Sequence, residues 1–183
     1  MASTWMAPSI VGLDRVAAAV GSSTCDTPVV ADGAELIVPP ASITSGALES
    51  DVYSRVWSEV GPLTLPNDLR VNRITPGTFE CDTDEMETIA AGTEVCSYFV
   101  HTDLVSTSGT LTGSMTFPSA TIIGLIYKRD EFNASSILEA PQTDYRYAPS
   151  ERRDVVTLAG SFVEWSLNVG TGRDHIRVIT TCP

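Results

Sequence analysis

Cys81-Asp82-Thr83-Asp84-Glu85-Met86-Glu87 places four carboxylates within six positions, directly after Glu80. Hard cations such as calcium take oxygen ligands, so a loop this dense in carboxylates could chelate one, with Asp82 and Asp84 as first choices. The run lacks the glycine and the closing glutamate of an EF-hand loop, and a solvated acidic loop explains it more simply. Glu49 and Asp51 are two apart, which on a strand turns both to one face. Together with Glu59 they could form a non-contiguous oxygen site for a metal. The same pair suits glycoside hydrolysis, where carboxylate separation and one raised pKa set the roles. Charges guarding an exposed sheet edge are the plainer reading.

Trp57, Tyr98, His101, Trp165, Tyr145 and Tyr147 are candidates for a flat surface that stacks on a pyranose. Trp57, Tyr98 and Trp165 fall in strand-like runs, where aromatic rings usually fill a core. Tyr145-Arg146-Tyr147 falls in a loop with Arg152 and Arg153 close behind, so Tyr145, Arg146, Tyr147 and Arg152 are the ligand-binding candidates. For the two tyrosines, stacking on a ligand and packing in the core are evenly matched. Nucleophilic catalysis has little support. No G-x-S-x-G occurs, and Ser97 and His101, four apart on one strand, stand about 13 Å apart. His175 is the only other histidine, and no phosphate-binding or dinucleotide fingerprint appears.

The four cysteines, Cys25, Cys81, Cys96 and Cys182, are even in number, widely spread and without a C-x-x-C. That pattern reads as two disulfides in an oxidising compartment. Three pairings exist. Cys25–Cys182 would tie the chain ends together and Cys81–Cys96 would close a local loop, so this pairing is the expected one. With all four bridged, no thiol would be left as a nucleophile. Zinc is disfavoured because its ligands usually come in close pairs. Residues 1–23 lack a basic start, and Pro8 and Asp14 interrupt the apolar stretch, so they do not form a signal peptide. The expectation is a secreted, extracellular or periplasmic protein whose export signal is not in this chain. Asn133-Ala134-Ser135 is a glycosylation sequon, relevant only in a eukaryotic secretory pathway.

These residues sit in a chain of 183 with 11 Lys and Arg against 23 Asp and Glu, a formal net charge of −12. Such acidity argues against nucleic acid and against anionic lipid. Hydrophobic residues make up 43% and charged residues 19%, enough for a core and unlike a disordered chain. No stretch approaches the roughly 20 apolar residues of a membrane helix. Strand signals dominate: 35–38, 69–74, 94–101, 110–117, 121–128 (a buried central strand), 155–158, 162–169 and 175–181. Residues 51–60 fit both periods, and their β-branched and aromatic content favours a strand. Short helices are expected at 14–20 and at 133–140, the second with Asn133 as N-cap. The fold class is therefore all-β: a jelly-roll-like sandwich of eight to ten strands over residues 34–183, preceded by an arm at 1–33.

The order Pro39-Pro40-Ala41-Ser42, Leu48-Glu49-Ser50-Asp51, Ile74-Thr75-Pro76-Gly77-Thr78-Phe79, the run 91–101, Gly113-Ser114-Met115-Thr116-Phe117, Ile123-Gly124-Leu125-Ile126 and the terminal 174–180 resembles an uncharacterised family of secreted bacterial proteins. Its members often end in a PEP-CTERM-type sorting tail. The resemblance covers most of the chain from about residue 35 and names no activity. The family commonly has an acidic or amide residue where Cys96 stands, so a Cys81–Cys96 bridge would be a local addition. The chain stops at Pro183 without that tail, so surface anchoring is not expected. Gly172-Arg173-Asp174-His175-Ile176-Arg177-Val178-Ile179 is also similar to the last strand of galactose-binding-like jelly rolls. That resemblance implies a structural calcium near Asp174.

The functional expectation is a secreted, non-catalytic binding module for a glycan or a protein surface, with a structural calcium. The alternative is a self-assembling extracellular subunit, a homo-oligomer using the arm, whose Val11, Val16, Ala17–Ala19 and Val20 could dock on a neighbour. A secreted glycoside hydrolase using Glu49 and Asp51 is the third reading.

Overall fold

The computed structural model describes residues 24–82, 85–106, 108–147, 154–170 and 172–183. The helix expected at 14–20, Asp84 and Arg152 lie outside the described residues. The described chain is an all-β sandwich with one short helix. One sheet has five strands in the order β1 (Val29–Ala31), β9 (Gly109–Thr116), β12 (Phe162–Val169), β11 (Val155–Ala159) and β6 (Gly77–Glu80). The other runs β10 (Ile122–Ile126), β13 (Arg173–Thr181), β8 (Glu94–Asp103), β3 (Ser54–Ser58) and β2 (Ala34–Leu36), with β4 (Leu63–Thr64) also paired to β8. A small ribbon joins β5 (Leu69–Val71) to β7 (Glu87–Ile89). The count among the described residues exceeds the expected eight to ten because of β1, β4, β6 and β7, which are two to four residues long, too short to show a period of two.

Two strands carry the architecture. β8 is buried at every residue after Glu94, and β13 at every residue between its ends. Alternation sends Tyr98, Val100, Ile176 and Val178 into a core between the sheets, while Phe99 and Ile179 point the other way into a second core. A strand buried on both faces needs a cover on each side. The five-stranded sheet covers one face. The other is covered by a third layer comprising α1 (Arg129–Ala134), a 3₁₀ turn at Ser136–Leu138, Ile43, and the loop bearing Tyr145 and Tyr147. The expected helix begins four residues early, at Arg129 with Lys128 as N-cap, so Asn133 lies in its last turn and caps nothing. Within the first core, Gly113 is required by contact. It lies directly across from Trp165, and a Cβ there would come within 2.5 Å of the indole.

Residues 24–33, expected in the arm, join the sandwich. β1 pairs with β9, the Asp26 carbonyl accepts from the Tyr98 hydroxyl (2.5 Å), and the Asp26 carboxylate accepts from the Ser119 and Ala120 amides. The expected central strand β10 is instead an edge strand. It reads as central because the segment after β5 caps it: Leu125 N–H donates to the Arg73 carbonyl and its carbonyl accepts from Asn72 N–H, both at 2.8 Å.

The disulfide pairing also differs from expectation. Cys25 is bonded to Cys96, while Cys81 and Cys182 are thiols. Cys81 is held at the five-stranded sheet's edge by its N–H to the Asp154 carbonyl (2.9 Å), so it is not placed to reach Cys96. The chain ends do converge, since the Cys182 sulfur lies 3.3 Å from the Cys96 sulfur, but Cys96 rather than Cys182 takes the bond to Cys25.

Candidate functional site

The densest chemistry lies under the third layer. Arg177 projects from β13 into the second core with its side chain fully buried, and Glu59, just past β3, meets it there with its side chain equally buried. Arg177 Nε donates to Glu59 Oε2 at 2.6 Å and Nη2 to Oε1 at 2.7 Å, a bidentate pair. Nη2 also donates to the Tyr147 hydroxyl (2.9 Å), and Nη1 to the Ser135 hydroxyl (2.5 Å) and carbonyl (3.3 Å). Glu59 accepts further from the Ser97 hydroxyl (2.5 Å) and from Tyr145. The guanidinium carbon stands 5.4–5.8 Å from the ring centres of Phe99, Phe132, Tyr145 and Tyr147, which surround the cation. Burial alone would lower the Arg177 pKa, but Glu59 overcomes it and the net shift is upward, so the guanidinium stays charged.

One step along the same face, His101 on β8 and His175 on β13 are cross-strand partners with their nitrogens 3.0 Å apart, so one ring donates to the other. Both are wholly buried. Burial, then the Arg173 and Arg55 charges, pulls His101 down to about 3, and burial, His101 and the neighbouring arginines pull His175 well below its usual range. Both rings are neutral at pH 7, and His101 Nε2 has no hydrogen-bond partner among the described residues.

The tyrosines expected to stack on a ligand are part of this interior. Tyr145 and Tyr147 are half-buried. The Tyr145 hydroxyl accepts from Trp57 Nε1 (3.1 Å), and the Tyr147 hydroxyl donates to Glu139 (2.5 Å). The Tyr147 ring lies on Phe132, 4.7 Å between centres and 11° from parallel, so its face is occupied. Burial pushes both phenols upward. Arg146 is exposed and pairs with Asp144 at 3.2 Å. Trp57, Tyr98 and Trp165 fill the cores, as strand aromatics commonly do.

The carboxylate candidates do not come together. Glu49 and Asp51 lie in a loop before β3, not on a strand, and Glu59 follows the far end of that strand. Asp51 accepts from the Ser106 amide (3.1 Å) and hydroxyl (2.9 Å), and these bonds lower its pKa, the opposite of what a general acid needs. Glu49 lines a cavity of about 190 Å³ with Asp103 and Ser106. Asp82 is exposed, and Asp174 is buried on the face of β13 that sends Ile176 and Val178 into the first core. Among the described residues no group of three or more His, Cys, Asp or Glu side chains is arranged to hold a metal. Glu49 and Asp51 thus stand at the opposite end of β3 from Glu59, and Asp174 stands in the interior of the sandwich.

A different feature was missed from the sequence: the corner where β1 turns into β2. Beside it lies a groove of about 250 Å³. Cys25, Asp26, Thr27 and Pro28 line one side and residues 36–39 the other, with Ser58 and Tyr98 also lining it. Small-molecule sites usually run about 300–1,000 Å³, so this groove suits a side chain or two. Leu36 and Val38 in its wall and Val29 next to Pro28 are exposed, Val38 at 81%. Ile37 N–H donates inward to the Val56 carbonyl (2.8 Å), so alternation turns the backbone groups of Leu36 and Val38 outward. Comparison of the chain with protein-family models, with curated proteins and with solved structures finds no match.

Two predictions concern the buried network. Arg177→Met strands the Glu59 charge and should cost about 3–5 kcal/mol, part of which Glu59→Leu in the same chain should restore. Denaturant unfolding of both variants measures this, and a single-variant loss below about 1 kcal/mol would contradict it. The histidine pair sets a pH dependence. Each histidine protonates near 6.5 unfolded but well below that when folded, so its stabilising contribution is complete above about 6.5 and is lost as pH falls toward 3. The expected slope is about 1.4 kcal/mol per pH unit for one proton, and His101→Gln should flatten it between pH 6.5 and 5.

Proposed function

We propose that the chain is a non-catalytic protein-recognition module that self-associates, with residues 1–23 of a second copy docking along its β1–β2 corner. The exposed apolar corner is the observation that carries this reading. The far edges of the two large sheets are guarded: β10 is capped by its neighbouring segment, and β6 carries exposed Thr78 and Glu80. The β1–β2 corner instead combines outward backbone groups with Val29, Leu36 and Val38, the features of strand addition. Residues 1–23 supply apolar side chains, among them Val11, Val16 and Val20, and precede the groove wall at Cys25 closely in the chain. A disulfide is compatible with an extracellular setting. No helix among the described residues is long and apolar enough to cross a membrane. The glycan reading loses its best support, because Tyr145 and Tyr147 spend their hydroxyls, and Tyr147 its ring face, inside the protein.

Light scattering of the full chain should give masses above the monomer at micromolar concentration. The net charge of −12 opposes contact between copies, so association should tighten between 0.05 and 0.5 M salt. Val38→Glu and deletion of residues 1–23 should each return the monomer. A wild-type chain that is monomeric at every concentration and salt would overturn the proposal, as would an oligomer indifferent to both changes.

A further inference from the structure

We propose that Cys25, Cys96 and Cys182 form an internal thiol–disulfide exchange site, in which Cys182 displaces Cys25 from Cys96 and frees a reactive thiol in the wall of the β1–β2 groove. The inference does not depend on what docks in that groove. Cys96 lies across from Thr180 on β13, and Cys182, two residues further on, stands on the same side of the chain, which sets the two sulfurs 3.3 Å apart. Cys182 is itself a thiol. Gly61 keeps the site tight on another side, since a Cβ there would fall 2.5 Å from the Cys25 sulfur and 3.1 Å from that of Cys96. In the step, the Cys182 thiolate attacks the Cys96 sulfur. The Cys96–Cys182 bond forms, the Cys25–Cys96 bond breaks, and Cys25 leaves as a thiolate that takes up the proton Cys182 gave up. Nothing is oxidised or reduced overall, so no outside reagent is needed.

The two isomers are closely matched in chain terms. The bridges span sequence separations of 71 and 86 residues, and the loop-closure dependence on length makes these differ by only about 1.3-fold. Residues 25–28 need not leave the sandwich when the bond shifts, because Asp26 is held separately by Tyr98, Ser119 and Ala120. The first isomer ties the root of the N-terminal segment to β8. The second ties β8 to the end of β13 and presents Cys25, half-exposed, to whatever occupies the groove. Burial and Glu94 raise the Cys182 pKa above the ordinary thiol value, so exchange is slow near neutrality and speeds as the thiolate fraction grows. Cys81 takes no part, being buried elsewhere with its pKa pushed up by burial and nearby carboxylates.

The test is disulfide mapping of the oxidised full chain without reductant. Samples are held at pH 6, 7 and 8, quenched in acid, denatured, alkylated with N-ethylmaleimide and mapped by peptide mass spectrometry. Cys25 should gain label as Cys182 loses it, at a rate rising about tenfold per pH unit. Cys182→Ser should abolish Cys25 labelling and Cys81→Ser should leave it unchanged. Cys25 remaining unlabelled in the wild type at every pH would overturn the proposal, as would equal labelling in Cys182→Ser. The wild-type and Cys81→Ser samples decide the matter even if Cys182→Ser folds poorly.

Discussion

The guanidinium of Arg177 and the carboxylate of Glu59 sit side by side with no solvent-exposed surface, and much of the molecule is arranged to make that tolerable. Removing two charges from water costs several kcal/mol per ion, which is recovered only where geometry is good and every remaining donor and acceptor is satisfied. Here the satisfaction comes from all over the chain: Ser97 from β8, Ser135 after α1, and Tyr145 and Tyr147 from the loop beyond the 3₁₀ turn. The third layer is therefore fastened to the sheet by polar bonds as well as by Phe99 and Phe132, whose burial contributes about 1.5–3 kcal/mol each. Loss of either charge would leave the other stranded, so the pair and its cover depend on each other.

That closure has a functional consequence. A sheet face carrying Trp57, Phe99 and two histidines, with two tyrosines over it, has the composition of a binding or catalytic surface, yet it is an interior. Apart from His101 Nε2 its polar groups point at one another, and its histidines are held neutral. The corner proposed as the docking site is the opposite kind of surface: exposed and apolar, with a small groove, a strand edge and three sulfurs beneath. Recognition there would rest on backbone pairing and apolar contact, in a chain whose overall charge resists non-specific association.

The fold was legible where period and composition agree. The strands at 94–103, 109–116, 162–169 and 173–181 fall where β-branched, aromatic and alternating residues mark them, and Ser54–Ser58 adopts the strand that the valines and aromatic residues of 51–60 favoured over a helix. The buried pair left little signal. Arg173, His175 and Arg177 alternate with Asp174, Ile176 and Val178, which reads as a strand with one polar face, and an arginine buried there must have a partner. The identity of that partner, Glu59, was not legible, because it depends on β3 and β13 both flanking β8. The cysteine pairing failed for the same reason: only the register of β8 with β13 places Cys182 beside Cys96. Tyr145 and Tyr147 read as loop residues since the sequence does not show that this loop is the cover of a core.

Amide hydrogen exchange at low and high protein concentration tests the central claim, that the β1–β2 corner is where the protein meets its partner. The account predicts protection gained with concentration at the outward amides of Leu36 and Val38 and within residues 1–23, and no change across α1 or around Tyr145 and Tyr147. Protection gained over α1 and the Tyr145–Tyr147 loop, with Leu36 and Val38 unchanged, would contradict it.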